Sequence, residues 1–227
     1  VVCKSQRIRL LKQDPYNLVE DCPVQFRLTY EGILLGSSRT DTRAAHKQDI
    51  RRVFHRQLKR LWAISPHLAD SYRQPLPDIP FSRPIPEGYT RINQLAERYQ
   101  CGPYRLVPIV TEELALACHL KILLLRPDKP GAIVASGDID NRLKTLFDAL
   151  RIPGPDKNEL AEHTPQEGED PFFCLLQDDK LINQLSLETD VLLQPTRGVE
   201  FDPNDSRIVI SVSIRPAEVM LANLSYA

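Results

Sequence analysis

Gly137-Asp138-Ile139-Asp140-Asn141-Arg142-Leu143-Lys144-Thr145-Leu146-Phe147-Asp148-Ala149-Leu150 is the stretch on which the fold turns. Its later part has a helical period. Leu143, Leu146, Phe147 and Leu150 recur as one buried stripe, which leaves Asp140, Lys144 and Asp148 stacked on the opposite side. The Asp138–Asp140 part reads as the end of an extended segment. Side chains two apart on a strand point the same way, so both carboxylates are expected on one face, roughly 7 Å apart. Gln177-Asp178-Asp179-Lys180 offers a second acidic pair. Carboxylates at a strand-to-helix junction, with a lysine one turn on, suit Mg²⁺ held against a phosphate. The hard cation takes oxygen ligands and keeps several waters, and the ammonium faces the non-bridging oxygens.

Strands flank this unit. Arg105–Val110 and Leu114–Leu125 open a sheet; in the second, Leu114, Leu116, Cys118, Leu120, Ile122 and Leu124 alternate with Ala115, Ala117, His119, Lys121 and Leu123. After the second acidic pair, Leu185, Leu187, Thr189 and Val191 alternate with polar residues, and Ile208, Ile210, Val212 and Ile214 form a last half-buried strand. Strands in runs, with a helix packed across them, predict an α+β fold: a mixed or antiparallel sheet with helices on one face.

Towards the N-terminus, residues 24–35 predict a strand with Val24, Phe26, Leu28 and Tyr30 alternating. Arg43 to Ile64 predicts an amphipathic helix with Ile50, Val53, Phe54, Leu58, Leu61 and Trp62 inward. Its other faces carry Arg43, Lys47, Arg51, Arg52, Arg56, Lys59 and Arg60 against Asp49 alone, so these seven are the candidate phosphate contacts; an ordinary solvated face is the bland alternative. Pro66, Pro75, Pro77, Pro80, Pro84 and Pro86 exclude regular structure from the next stretch, expected to be a wrapped connection anchored by Leu76, Ile79, Phe81 and Ile85. A short helix with Ile92, Leu95, Ala96 and Tyr99 follows, with Gly102 as its stop. The chain divides into residues 1–104 (strand, basic helix, Pro-rich segment) and residues 105–227 (the core), joined in one compact domain.

Across 227 residues, 42% hydrophobic and 26% charged content is ordinary for a globular protein. The formal net charge of −1 places any nucleic-acid affinity in a local basic surface. Five scattered cysteines (Cys3, Cys22, Cys101, Cys118, Cys174) with no C-x-x-C predict free thiols in a reducing compartment and no structural zinc. No apolar run reaches the length of a membrane span, and the N-terminal residues lack a signal-peptide core, so a cytoplasmic protein with no membrane partner is expected. None of His46, His55, His67, His119 and His163 has ligand spacing to another.

Asp138-x-Asp140-Asn141, Lys144, Phe147-Asp148-Ala149-Leu150 and the later Asp178-Asp179, with Pro127-Asp128 ahead and two strands behind, resemble the RusA family of Holliday-junction resolvases over roughly residues 114–215. The resemblance implies a Mg²⁺-dependent endodeoxyribonuclease (Mn²⁺ substituting) acting on branched DNA in recombination and repair, as a homodimer. It makes Asp138, Asp140 and Asp179 the metal ligands, with Asp178 as a further donor, and Lys144 the electrostatic partner in cleavage. Two departures from the family stand out: an acidic insertion from Ile152 to Phe173, and a loop before Asp138, Lys129 to Gly137, that is less basic than the family's.

Blander roles compete. Asp140 could cap the helix, with Lys144 as its ion-pair partner. Asp178 could be a turn residue, Asp148 a partner of Lys144, and Asn141 a cap or an orienting group. Neither capping nor pairing accounts for Asp138 together with Asp178-Asp179, since converging carboxylates repel unless a cation compensates. Phosphatase and glycosyltransferase D-x-D motifs fit less well, because the α/β domain they require is missing. The alternative from another class is a non-enzymatic DNA-binding or assembly protein that keeps the resolvase fold.

Overall fold

The computed structural model describes residues 24–37, 43–66, 68, 87–128, 138–154, 160 and 163–226. Its architecture is α+β, with two sheets and three helices among the described residues. The apolar alternation near the C-terminus produces β7 (Asp205–Pro216), in which Ile208, Ile210, Val212 and Ile214 are all buried. On one side β7 pairs antiparallel with β1 (Val24–Ile33), and on the other with β4 (Leu116–Arg126). A parallel strand, β6 (Ile182–Val191), closes the order β1-β7-β4-β6. Three further strands form a smaller sheet in the order β2-β3-β5: β2 (Gln100–Cys101), β3 (Tyr104–Val110) and β5 (Phe172–Leu176).

The helices are α1 (Ala44–Ile64), α2 (Arg91–Arg98) and α3 (Asp138–Leu150). Ile50, Phe54, Leu58 and Trp62 of α1 recur every fourth residue and are buried, so one stripe of the helix faces the core. α1 packs on β5, α3 and β1. The expected α3 stripe holds: Leu143, Leu146 and Leu150 are buried with Ile139 and Ala149, and Phe147 is partly buried against the same cluster. Each such side chain contributes about 1.5–3 kcal/mol.

Four expectations change. Asp138–Asp140 is the first turn of α3, not a strand end, and residues two apart on a helix do not share a face. Gly102 does not stop a helix; at φ 55° it sits in the tight turn that joins β2 to β3. β6 is an edge strand on which Leu185 is 45% exposed, because among the described residues only β4 flanks it. The insertion runs into β5, whose five consecutive buried residues carry no alternation by which a strand of this kind could be told from a helix. The Pro-rich segment lies almost wholly outside the described residues, as do Cys3 and Cys22; Cys101, Cys118 and Cys174 are free thiols. No helix among the described residues is long and apolar enough to cross a membrane.

Candidate metal and phosphate site

α3 runs back along the sheet, and its two ends meet different partners. At the first turn, the Ser37 backbone N–H donates to the Asn141 carbonyl (2.8 Å) and the Ser37 hydroxyl to Asn141 Oδ1 (3.1 Å). Arg142, almost fully buried, donates to the Leu34 carbonyl (2.5 Å) and to Asn204 Oδ1 (3.1 Å). The exits of β1 and of the β6–β7 connection therefore clamp this turn. Asn141 neither caps the helix nor orients an aspartate through a described contact. It receives the β1 exit.

On the clamped turn, Asp140 and Lys144 are both exposed. Neither makes a hydrogen bond or ion pair among the described residues. Asp140 is inside the helix and so is not its N-cap, and it does not pair with Lys144. The side chain of Asp138 lies outside the described residues. Unpartnered carboxylate oxygens beside an ammonium, one turn apart, are the donor chemistry that a hard divalent cation and a phosphate require.

At the other end of α3 the carboxylate is matched within the chain. Asp148 is buried and accepts from Lys47 Nζ (2.7 Å) and Arg151 Nη2 (2.9 Å), while its backbone carbonyl takes Arg51 Nη2 (2.8 Å). Burial pushes the Asp148 carboxyl up, but hydrogen bonding and charge from Lys47 and then Arg151 outweigh it and hold the group below its ordinary range. Asp148 is thus structural, with Lys47 and Arg151 as its partners in place of Lys144.

Asp178 caps and Asp179 opens a 3-10 turn, Asp179–Leu181, between β5 and β6. The Asp178 carboxylate accepts from Lys180 N (2.9 Å), a bond that, as the largest cause, lowers its pKa. Asp179 is half exposed, 3.9 Å from Arg151 Nε. Glu112, at the exit of β3, pairs with Lys180 (2.6 Å), which places this turn where β4 begins. Within one chain, Asp179 and Asp140 therefore stand at opposite ends of the sheet. Between the rows Cys118–Ile182 and Leu125–Asp190 the strands advance about 23 Å. Among the described residues no three His, Cys, Asp or Glu side chains gather closely enough to hold a metal ion.

The seven cations of α1 divide. Arg51 is buried, Lys47 is held by Asp148, Arg52 pairs with Glu169 (2.9 Å), and Lys59 donates to the Gly168 carbonyl (2.6 Å). Arg56 and Arg60 are exposed, and Arg43, at the start of the helix, is partly exposed. Hydrophobic periodicity identified α1 but could not reveal that the insertion would lie along it. Sequence reading also passed over Arg142 and Ser37, whose contacts are long-range and carry no local signal. No protein-family model, no curated protein and no solved structure matches the chain.

Proposed function

We propose that this protein is a metal-dependent endodeoxyribonuclease of the RusA type, hydrolysing phosphodiesters in branched DNA. The observation that carries the proposal is the pair Asp140 and Lys144: exposed, without a partner among the described residues, one turn apart, on a helix turn clamped by Ser37 and Arg142. A helix of this length does not need an isolated carboxylate and ammonium on its surface, whereas phosphoryl chemistry needs both, held still. Asp138, Asp140 and Asp179, with Asp178 as a further donor, would hold Mg²⁺ or Mn²⁺. The ion, when bound, supplies an activated hydroxide and stabilises charge on the attacking and leaving oxygens. Lys144 faces the non-bridging phosphate oxygens, and Arg43, Arg56 and Arg60 contact neighbouring phosphates, which position DNA without reading its sequence.

Since Asp179 and Asp140 are far apart in one chain, the acidic set is completed between two copies. Among the described residues β6 is a ten-residue edge that carries Glu188 and Asp190 but no proline or lysine, and its open backbone groups can take a second strand. Antiparallel pairing of β6 with β6 would bring Asp178-Asp179 of one copy to the end of the partner's sheet at which β4 finishes and on which the first turn of α3 lies. A two-fold dimer of this kind offers one site to each scissile strand of a junction.

Mixing experiments test both parts of the proposal. Asp140→Asn and Asp179→Asn proteins should each fail to nick a labelled four-way junction with Mg²⁺. Unfolded and refolded together, they should regain activity, because the mixed dimer has one intact shared site. No recovery, with an active parent, removes the shared site. If the parent binds branched DNA but cuts none of it with Mg²⁺ or Mn²⁺, the non-enzymatic DNA-binding alternative replaces the nuclease.

A further inference from the structure

We infer that His55 is a proton-operated latch, holding the acidic insertion around Gly168 and Glu169 closed against α1. His55 is buried and stacks on Phe172, with ring centroids 4.3 Å apart and planes at 19°. Its two ring nitrogens meet groups of opposite polarity. The Phe173 backbone N–H, which can only donate, lies 2.9 Å from Nδ1. The Gly168 carbonyl, which can only accept, lies 3.2 Å from Nε2. The proton must therefore sit on Nε2, and the ring in the closed state is neutral.

A second proton has no place in this arrangement. On Nδ1 it would face the Phe173 N–H, breaking that bond and leaving a buried donor unsatisfied. The charges around the ring act in both directions: Glu169 favours the second proton, Lys59 and Arg56 oppose it, and burial outweighs them all. From α1 come Arg52, Arg56 and Lys59, the last sharing the Gly168 carbonyl with His55. From the insertion come Glu169, bound to Arg52, and Asp170, bound to Arg105 of β3 (2.8 Å). β3 also presents the Tyr104 hydroxyl and β5 the Cys174 thiol, both pushed upward by burial and so neutral. Burial, the largest influence, lowers the imidazole below its ordinary 6.5. An opened or unfolded His55 binds its proton near 6.5 and the closed one only lower. Closure is thus fully stable above about 6.5, weakens as pH falls through that value, and stops weakening below the closed-state pKa.

Opening has a defined consequence. The insertion is held by Glu169 on Arg52, Gly168 on Lys59 and His55, and the Thr164 carbonyl on Tyr104 (3.0 Å). Its release would return Arg52 to the exposed face of α1 that carries Arg56 and Arg60, and would free the already exposed Lys59 from the Gly168 carbonyl. The latch does not depend on the nuclease reading.

Histidine NMR combined with amide hydrogen exchange tests it. The parent should show His55 as the Nε2–H tautomer at neutral pH, titrating below 6.5. Protection of the Phe173 amide and of residues 163–170, corrected for intrinsic exchange, should fall with pH by up to about tenfold per unit, the slope of one linked proton. His55→Gln keeps a donor toward Gly168 but cannot titrate, so its protection should be flat over the same range. An unchanged slope in His55→Gln overturns the latch. If that variant does not fold, the parent alone decides: titration at or above 6.5, or titration without loss of protection at Phe173, overturns it equally.

Discussion

The two ends of α3 carry the same kinds of side chain in opposite circumstances. At the C-terminal end, the buried Asp148 carboxylate is matched within the chain by Lys47 and Arg151, and its backbone carbonyl takes Arg51. At the N-terminal end, Asp140 and Lys144 stand in solvent, while the neighbouring Asn141 and the buried Arg142 do the anchoring. A buried charge must be matched to be tolerated, so its partners report on folding. An exposed pair on a clamped turn, unmatched among the described residues, can meet something from outside. Charge alone does not mark a site; charge left over after the fold has satisfied itself does.

The sharpest way to break this contrast is Asp140→Asn beside Asp148→Asn. We expect Asp140→Asn to lower junction cleavage by on the order of a thousandfold or more while binding DNA at least as tightly, as for a group acting on the transition state. Its stability in urea should stay within about 0.5 kcal/mol of the parent, as for a surface change. Equal cleavage by parent and variant would make Asp140 an ordinary surface residue.

Asp148→Asn should do the reverse, losing about 3–5 kcal/mol because Lys47 and Arg151 lose their buried counter-charge. The same carboxylate predicts an acid dependence. Its folded pKa lies below the ordinary 3.8, so its contribution is complete above 3.8 and is lost as pH falls through that value toward the folded one. Denaturation curves of parent and variant should therefore draw together below about pH 4. If they stay parallel, Asp148 is not the group being titrated.

A smaller effect sharpens the contrast on α1. Replacing Arg56 and Arg60 together by Gln should flatten the logarithmic salt dependence of DNA binding by up to about two, one for each phosphate no longer neutralised. Arg51→Gln should instead lower stability, since Arg51 is buried on Asp148. A salt slope that ignores Arg56 and Arg60 would assign the exposed face of α1 to solvent.

Much of this was legible in the chain. The alternation of Ile208 to Ile214 and of Leu116 to Leu124, and the fourfold recurrence from Ile50 to Trp62, determined β7, β4 and α1, because a single local period matches a single buried face. The Leu143–Leu150 stripe likewise placed Lys144 in the solvent. What local pattern could not contain, tertiary structure decided. Whether α3 begins at Asp138 or after Asp140 changes which carboxylates share a face, and the Ser37 and Arg142 contacts that hold that turn come from distant segments. Parallel pairing of β6 with β4 sent Asp179 to the far end of the sheet from Asp140. The packing of the insertion turned Arg52, His55 and Lys59 from a basic face into an interface. Periodicity reports which face is buried; only the fold determines against what, and so which charges remain for another molecule.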